Sequence, residues 1–306
     1  MKKKILLIGS TGFFGQKIKK KLSNKYLILS PSSKKLNLLS VKSLNNYFLK
    51  NKIEIIINSA WYKNSTTSSV LLRTKNYLKN LKAAKNITQT ARKYKIRYFL
   101  NISSINAYQN SDKKLYEKNL LKKNLNQSKK PDGLAKLFYI KLFRKISNNE
   151  YHYKNLLFSN IYGFTNRNKN LLLIDKLFFN LYKKKNYRIK IVNKSNIKID
   201  LIYIDDAVEA IEFFLKKLTE KKIKHNHINI GSGKEFKLEN IINLINKNNK
   251  LKISYSYQKK IDKKKLIASI SLAKRYGWKP KITIIEGLKK TELNYKTKLK
   301  HKIRTN

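Results

Sequence analysis

An apolar run at residues 4–8 ends in Gly9-Ser10-Thr11-Gly12-Phe13-Phe14-Gly15, and a stretch of helical periodicity follows it. In that setting three glycines spaced by three residues have a chemical meaning. Gly9 permits a tight turn, Gly12 lets a pyrophosphate come close, and Gly15 lets the helix pack on the strand. The first helical turn adds free N–H groups for phosphate oxygens. Dinucleotide contacts are therefore expected along Gly9, Ser10, Thr11, Gly12, Phe13, Phe14 and Gly15. The plainer reading is an ordinary glycine-rich turn, which the agreement of strand, spacing and helix disfavours.

About twenty residues on, where a carboxylate would bind an adenosine ribose, the chain reads Ser30-Pro31-Ser32-Ser33-Lys34-Lys35. Hydroxyls and ammonium groups suit a 2′-phosphate, so NADP is favoured over NAD, with Ser30, Ser32, Ser33 and Lys34 as candidate contacts. A basic surface loop would read the same way. Further along, Pro131-Asp132-Gly133-Leu134-Ala135-Lys136 sets a carboxylate and an ammonium one helical turn apart. Proline favours the first helical position, and both the helix dipole and the lysine favour an ionised Asp132.

The elements that must position these residues alternate along the chain. Strands are expected at residues 4–8, 26–29, 54–58, 98–102 and 155–158, several apolar without alternation, as in strands buried on both faces. Helices with apolar residues three or four apart are expected at 13–22, 41–49, 70–94 and 131–146. This is the pattern of a parallel sheet with crossover helices, an α/β fold. After Gly163 the order loosens: a helix near 171–182, strands near 189–192 and 201–204, a strand–helix pair at 228–230 and 238–245, a strand at 252–255, and helices near 271–276 and 284–293. The stretch from 296 to 306 is polar and basic, and a frayed tail is expected there.

Composition narrows the classes. The 306 residues carry 71 Lys plus Arg against 17 Asp plus Glu, a formal charge of +54, with 41% hydrophobic residues and no cysteine. A disulfide scaffold and a cysteine-ligated metal site are excluded, and no metal site of another kind is expected. The charge raises nucleic-acid binding, but it is almost all lysine spread along the chain, beside much Asn, Ile, Tyr and Phe, as AT-rich coding would produce. Base- and phosphate-reading surfaces favour arginine. Nucleic acid is therefore not expected as the partner. The start Met1-Lys2-Lys3-Lys4 imitates a signal peptide, yet glycines interrupt its apolar stretch, and no run approaches spanning length. A cytoplasmic protein without membrane attachment is expected.

From the glycine motif onward the chain resembles the extended short-chain dehydrogenase/reductases that act on nucleotide sugars, over about residues 3–295. Leu36-Asn37-Leu38-Leu39 is similar to the segment bordering the adenine, and Asn58-Ser59-Ala60 to the strand end beneath the cofactor. Ile102-Ser103-Ser104-Ile105-Asn106-Ala107-Tyr108 resembles the segment of the catalytic hydroxyl. Ser159-Asn160-Ile161-Tyr162-Gly163, Asp205-Asp206, Ile228 to Gly233 and Ile270 to Pro280 match in family order, with a flavour of GDP-fucose synthases. The resemblance implies a Rossmann-type doubly wound parallel sheet with a smaller C-terminal substrate-binding lobe. Residues 1–163 and 200–222 would bind NAD(P), residues 164–199 and 223–295 would form the lobe, and a homodimer would pair helices 70–94 and 131–146. It also implies Ser104 and Lys136 as catalytic residues, and Asn37, Leu38, Asn58, Ser59, Ala60, Ser103 and Lys136 at the cofactor. Tyr108, Asn160 and Lys198 would meet a nucleotide-sugar substrate.

Three departures stand out. The family's proton-transfer pair is Tyr-x-x-x-Lys, and here Asp132 occupies the tyrosine position. An ionised aspartate cannot donate a proton to a ketone, although it could accept one from an alcohol. The family's phosphate-holding arginine aligns with Ile199, leaving Lys198 or Lys194 as substitutes, and residues 170–174 lack the epimerising histidine. Hydride transfer on a nucleotide sugar for deoxysugar or surface-polysaccharide synthesis is the leading expectation. A non-catalytic NAD(P)-binding pseudoenzyme or partner subunit is the alternative, and a nucleic-acid-binding Rossmann protein the third.

Overall fold

The computed structural model describes residues 2–63, 69–108, 114–121, 130–165, 173–184, 188–192, 198–247, 252–256 and 265–303. Its first half alternates strand and helix: β1 (Lys4–Ile8), α1 (Phe13–Leu22), β2 (Leu27–Leu29), α2 (Val41–Lys50), β3 (Ile55–Asn58), α3 (Val70–Lys93) and β4 (Tyr98–Ser104). A short α4 (Glu117–Leu120), α5 (Pro131–Ile146) and β5 (His152–Phe158) follow. The second half runs β6 (Asn160–Tyr162), α6 (Leu173–Phe179), β7 (Arg188–Val192), β8 (Lys198–Ile199), β9 (Leu201–Tyr203), α7 (Ile204–Thr219) and β10 (His227–Ile230). It closes with β11 (Phe236–Lys237), α8 (Leu238–Ile245), β12 (Lys252–Ser256), β13 (Lys265–Leu266), α9 (Ser271–Arg275) and α10 (Ile284–Ile303).

Six strands form one parallel sheet in the order β10-β5-β4-β3-β1-β2. The chain steps outward from β1 to β2, then crosses back over β1 to β3. The strand order therefore reverses between β1 and β3, and a ligand crevice opens beyond the carboxyl ends of strands at such a switch point. Both faces are covered, which is why the strands read as unbroken apolar runs. Ile5, Leu7, Ile55, Ile57 and Leu100 pack with Ile18, Ile211 and Phe214 on one face, while Leu6, Ile56, Phe99 and Tyr153 pack with Leu44, Phe48, Ile87 and Phe143 on the other.

On the second face three amides line up across the sheet. Asn58 of β3, Asn101 of β4 and Asn155 of β5 are register partners, 1%, 3% and 0% exposed. Asn58 Nδ2 donates to Asn101 Oδ1 (2.9 Å) and Asn101 Nδ2 to Asn155 Oδ1 (2.8 Å). Asn58 Oδ1 in turn accepts from the Ala60 N–H at 3.1 Å, so the ladder ends on the chain leaving β3.

Outside the sheet, Tyr162, Leu177, Phe178, Tyr203, Ile241, Leu288 and Tyr295 form a separate core. Two sequence expectations change here. Residues 227–230 were assigned to the lobe, yet β10 pairs with β5 and completes the large sheet, with Ile228 and Ile230 fully buried. Pairing covers an edge that β5 would otherwise leave open. The expected frayed tail from Lys296 is instead a continuation of α10 to Ile303. Fully buried Tyr295 anchors it and a Glu292–Lys296 pair spans one of its turns. Among the described residues no helix is long and apolar enough to cross a membrane.

Candidate functional site

The crevice at the β1/β3 switch point has a volume of about 610 Å³. Its phosphate end is the loop from β1 to α1. Gly9 has φ +81°, a left-handed conformation, and a Cβ on it would lie 2.6 Å from the Ala60 nitrogen, so the exits of β1 and β3 touch there. The Gly12 N–H donates to the Gly9 carbonyl at 3.0 Å and closes the turn. Gly12 then serves as N-cap of α1 without any side-chain cap, which leaves the helix-start N–H groups to a ligand. At Gly15 a Cβ would stand 2.1 Å from the Gly9 carbonyl oxygen, the close helix-on-strand packing expected of it.

Ser10, Thr11, Phe13 and Phe14 line the crevice with Gly9 and Gly12, and Ser32, Ser33, Asn37 and Leu38 line it beyond β2. Ser30 and Lys34 lie outside the lining. Ser59 and Ala60 form the wall after β3, whereas Asn58 does not line the crevice: its amide is buried in the sheet ladder and holds Ala60 from behind. No acidic side chain is among the lining residues. The preformed turn, the uncapped helix start and the crevice running from them past Ser32 and Ser33 and the β3 exit fit a dinucleotide.

The far wall was not legible as a site in the sequence. Trp61, Tyr62, Lys63, Asn76, Asn80, Ala83 and Tyr139 line it. Asn80 of α3 clamps Tyr62 by two bonds, accepting from its N–H and donating to its carbonyl, each 3.0 Å. The Trp61 indole Nε1 donates to Asp132 Oδ1 at 2.6 Å, and Lys136 Nζ donates to Asp132 Oδ2 at 2.7 Å. The same ammonium lies 4.0 Å from the centre of the Trp61 ring. Burial pushes the Lys136 amine below its ordinary value, and the Asp132 carboxylate works against that shift. A carboxylate that accepts from two donors is an acceptor at this site, not an acid. Tyr139 sits a turn deeper, 2% exposed, its hydroxyl accepting from Asn58 Nδ2 at 3.3 Å. Burial raises the phenol's pKa, so it is a poor proton relay.

Other expected residues are brought elsewhere. Ser103 follows Phe99 and Asn101 on the α5 side of the sheet, and its Oγ is buried with no hydrogen-bond partner among the described residues. Ser104 ends β4, and its Oγ accepts from the Asn106 N–H at 3.2 Å. No hydrogen bond among the described residues joins it to Asp132 or Lys136. Tyr108, expected at the substrate, is instead 2% exposed and donates to Asn229 Oδ1 at 3.0 Å, because the turn after β4 folds it under β10. Asn160 is exposed, with Nδ2 on the Asp200 carbonyl at 3.1 Å. Lys198 is paired with Glu235, which draws it from the phosphate role. Lys194 and residues 170–172 lie outside the described residues.

The model of the NAD dependent epimerase/dehydratase family matches residues 5–231. GDP-L-colitose synthase of Yersinia pseudotuberculosis is 26% identical over 94% of this chain and 96% of its own. Among solved structures, a GDP-6-OMe-4-keto-L-xylo-heptose reductase from C. jejuni superposes with a TM-score of 0.84 at 17% identity, covering 97% of this chain and 98% of that one. A GDP-mannoheptose C4 reductase from Campylobacter jejuni, solved with NADP bound, gives 0.80 at 18% identity over 97% and 98%. These two structures share the fold.

Proposed function

The chain belongs to the NAD dependent epimerase/dehydratase family, and from that premise we propose that it binds NADP in the β1/β3 crevice and acts as an oxidoreductase on a GDP-linked keto sugar. The observation that carries the reading is the crevice itself: a left-handed Gly9 and an uncapped α1 start line one cavity with Trp61, and the buried Lys136 of α5 lies directly behind that indole. NADP over NAD is supported by Ser32 and Ser33 in the lining and by the absence of a carboxylate there. The GDP-sugar choice follows the relatives named above.

When bound, the nicotinamide supplies the hydride, and the protein's residues must hold it and manage the proton. The α1 N-terminus and the Gly9–Gly12 turn hold the pyrophosphate. Lys136 holds the ribose hydroxyls. Ser104, whose Oγ already accepts from Asn106, keeps its own proton to donate to the sugar oxygen. Asp132 accepts from Trp61 and Lys136 and has no proton to give, so reduction draws its proton from water and runs slowly. A second reading, a binding protein without turnover, is favoured by the same closed contacts at Asp132.

Consumption of NADPH with a panel of GDP- and UDP-linked 4-keto sugars, measured beside calorimetric binding, separates the two. Turnover supports the oxidoreductase, binding alone the second reading, and binding of neither ligand rejects both. A homodimer through α3 and α5 belongs to the same proposal. Leu71, Leu78 and Leu134 are 79%, 57% and 38% exposed on these packed helices, with Phe138 and Leu142 half-buried beside them. Sedimentation showing only monomer at moderate salt would refute it.

A further inference from the structure

Trp61 is explained by neither the glycine motif nor the Asp132–Lys136 spacing. It directly follows the Ser59–Ala60 wall, yet it reaches α5, where its N–H and its ring engage two different groups. The indole N–H takes one oxygen of Asp132 and the Lys136 ammonium takes the other, while the ring face covers that ammonium at 4.0 Å. The three groups close on one another: a carboxylate satisfied by two donors, and a cation held between a carboxylate and a π face. The Lys136 side chain is left only 11% exposed. Trp61 lines the crevice and Lys136 does not, so the ammonium lies behind the indole while the indole stays where it is. The Gly9–Gly12 turn and the Ser32–Ser33 segment take no part in this closure, so the adenosine end of the crevice stands open while Lys136 is covered.

We propose that Trp61 is a positioning residue that latches the nicotinamide end of the crevice. The adenosine phosphate half of a dinucleotide enters freely, and the nicotinamide riboside half enters only as the indole leaves Lys136. Trp61 thereby sets the apparent affinity for the complete cofactor without setting that for its adenosine half. This rests on the dinucleotide reading above. A competent state populated only in part weakens apparent binding by that fraction, and loosening the latch returns the lost affinity.

The test is Trp61→Phe, which keeps an aromatic ring beside Lys136, removes the N–H bond to Asp132 and shrinks the ring face over the ammonium, with no change of charge. Calorimetry measures NADP⁺ and 2′,5′-ADP, the latter carrying only the adenosine half, against the wild type and the variant. The latch predicts that NADP⁺ binds the variant about three- to tenfold tighter, on the order expected for loss of one charge-assisted bond that holds the closed state, while 2′,5′-ADP is unchanged. The difference in emission between wild type and variant isolates the Trp61 fluorescence. It should shift on adding NADP⁺ and stay constant on adding 2′,5′-ADP. Unchanged or weaker NADP⁺ binding to the variant overturns the proposal while leaving the dinucleotide reading intact. Weakening of both ligands overturns it too and makes the indole a structural support. Failure of both ligands to bind the wild type removes the dinucleotide reading and the latch together.

Discussion

Gly12 caps α1 and Gly15 lies in its first turn, three residues on, and the structure assigns them separable tasks. Gly12 has φ −71° and ψ 163°, extended backbone that any residue adopts, and a Cβ there would meet only the Gly9 carbonyl oxygen, at 3.2 Å. Gly12→Val should therefore leave the fold within ~1 kcal/mol of the wild type. The added side chain stands where a pyrophosphate must approach the α1 N-terminus. Losing two N–H bonds to phosphate, at ~1.5–3 kcal/mol each, weakens NADP⁺ at least ~100-fold. Gly15→Ala does the opposite. Its Cβ would fall 2.1 Å from the Gly9 carbonyl oxygen, so α1 must move off the sheet by more than an ångström. Overpacking of that kind costs up to ~3 kcal/mol. With an unfolding entropy of roughly 2.1 cal/mol/K per residue over 306 residues, that loss lowers Tm by ~5 °C. Calorimetric binding of NADP⁺ and thermal unfolding of both variants check the pair. The reasoning is refuted if Gly12→Val binds like the wild type, or if it melts as early as Gly15→Ala.

Asp132→Tyr should place a phenol one turn from Lys136 and raise NADPH-dependent reduction of the keto sugar ~100-fold or more, the usual scale for a positioned acid. No rise in a variant that still binds cofactor and sugar would show that Asp132 does not stand at the proton-transfer position. Conversely, a high wild-type rate that Asp132→Asn lowers would make the aspartate itself the proton carrier. Lys154 of β5 is 5% exposed, donates to Asn226 Oδ1 at 3.1 Å and has no carboxylate partner among the described residues, and burial pushes its amine down to about 8. Its folded pKa lies below the ordinary 10.5, so the cost of burying the charge is fully present below pH 8 and fades as pH rises from 8 to 10.5. Lys154→Met should accordingly stabilise the protein by up to ~3 kcal/mol at pH 7 and by little at pH 10.5. Equal gains in urea unfolding at both pH values would contradict that origin.

Elements governed by local physics were legible in the sequence. The helix expected at residues 131–146 is α5, because Pro131 fixes its first turn and Asp132 suits the positive end of its dipole. β1, the glycine turn and α1 were readable because their meaning lies within twenty residues. What the sequence hid depends on distant partners. Trp61 reaches Asp132 across 71 positions and Tyr108 reaches Asn229 across 121, so spacing could identify neither contact. Tyr108 also shows a limit of motif matching: the segment ending β4 was placed, but the direction its tyrosine faces was set by the packing of β10. Lys198 reads as a phosphate ligand in the sequence, but Glu235, the residue before the strand that pairs with its own, forms an ion pair with it.

The line of amides through Asn58, Asn101 and Asn155 bears on how the chain chooses one sheet among many. β3 reads Ile-Ile-Ile-Asn, and an isoleucine run packs almost as well one step up or down its neighbour. Sliding β4 against β3 by one residue would set Asn58 opposite Leu100 or Ile102 and strand amides in the core at ~1–3 kcal/mol apiece. The asparagines thus work like the teeth of a ratchet: they add little to how tightly the strands adhere and much to which alignment is admissible. Because the last tooth grips the Ala60 N–H, the wall of the crevice inherits that alignment, and a slipped sheet would be a folded protein with its cofactor wall out of place.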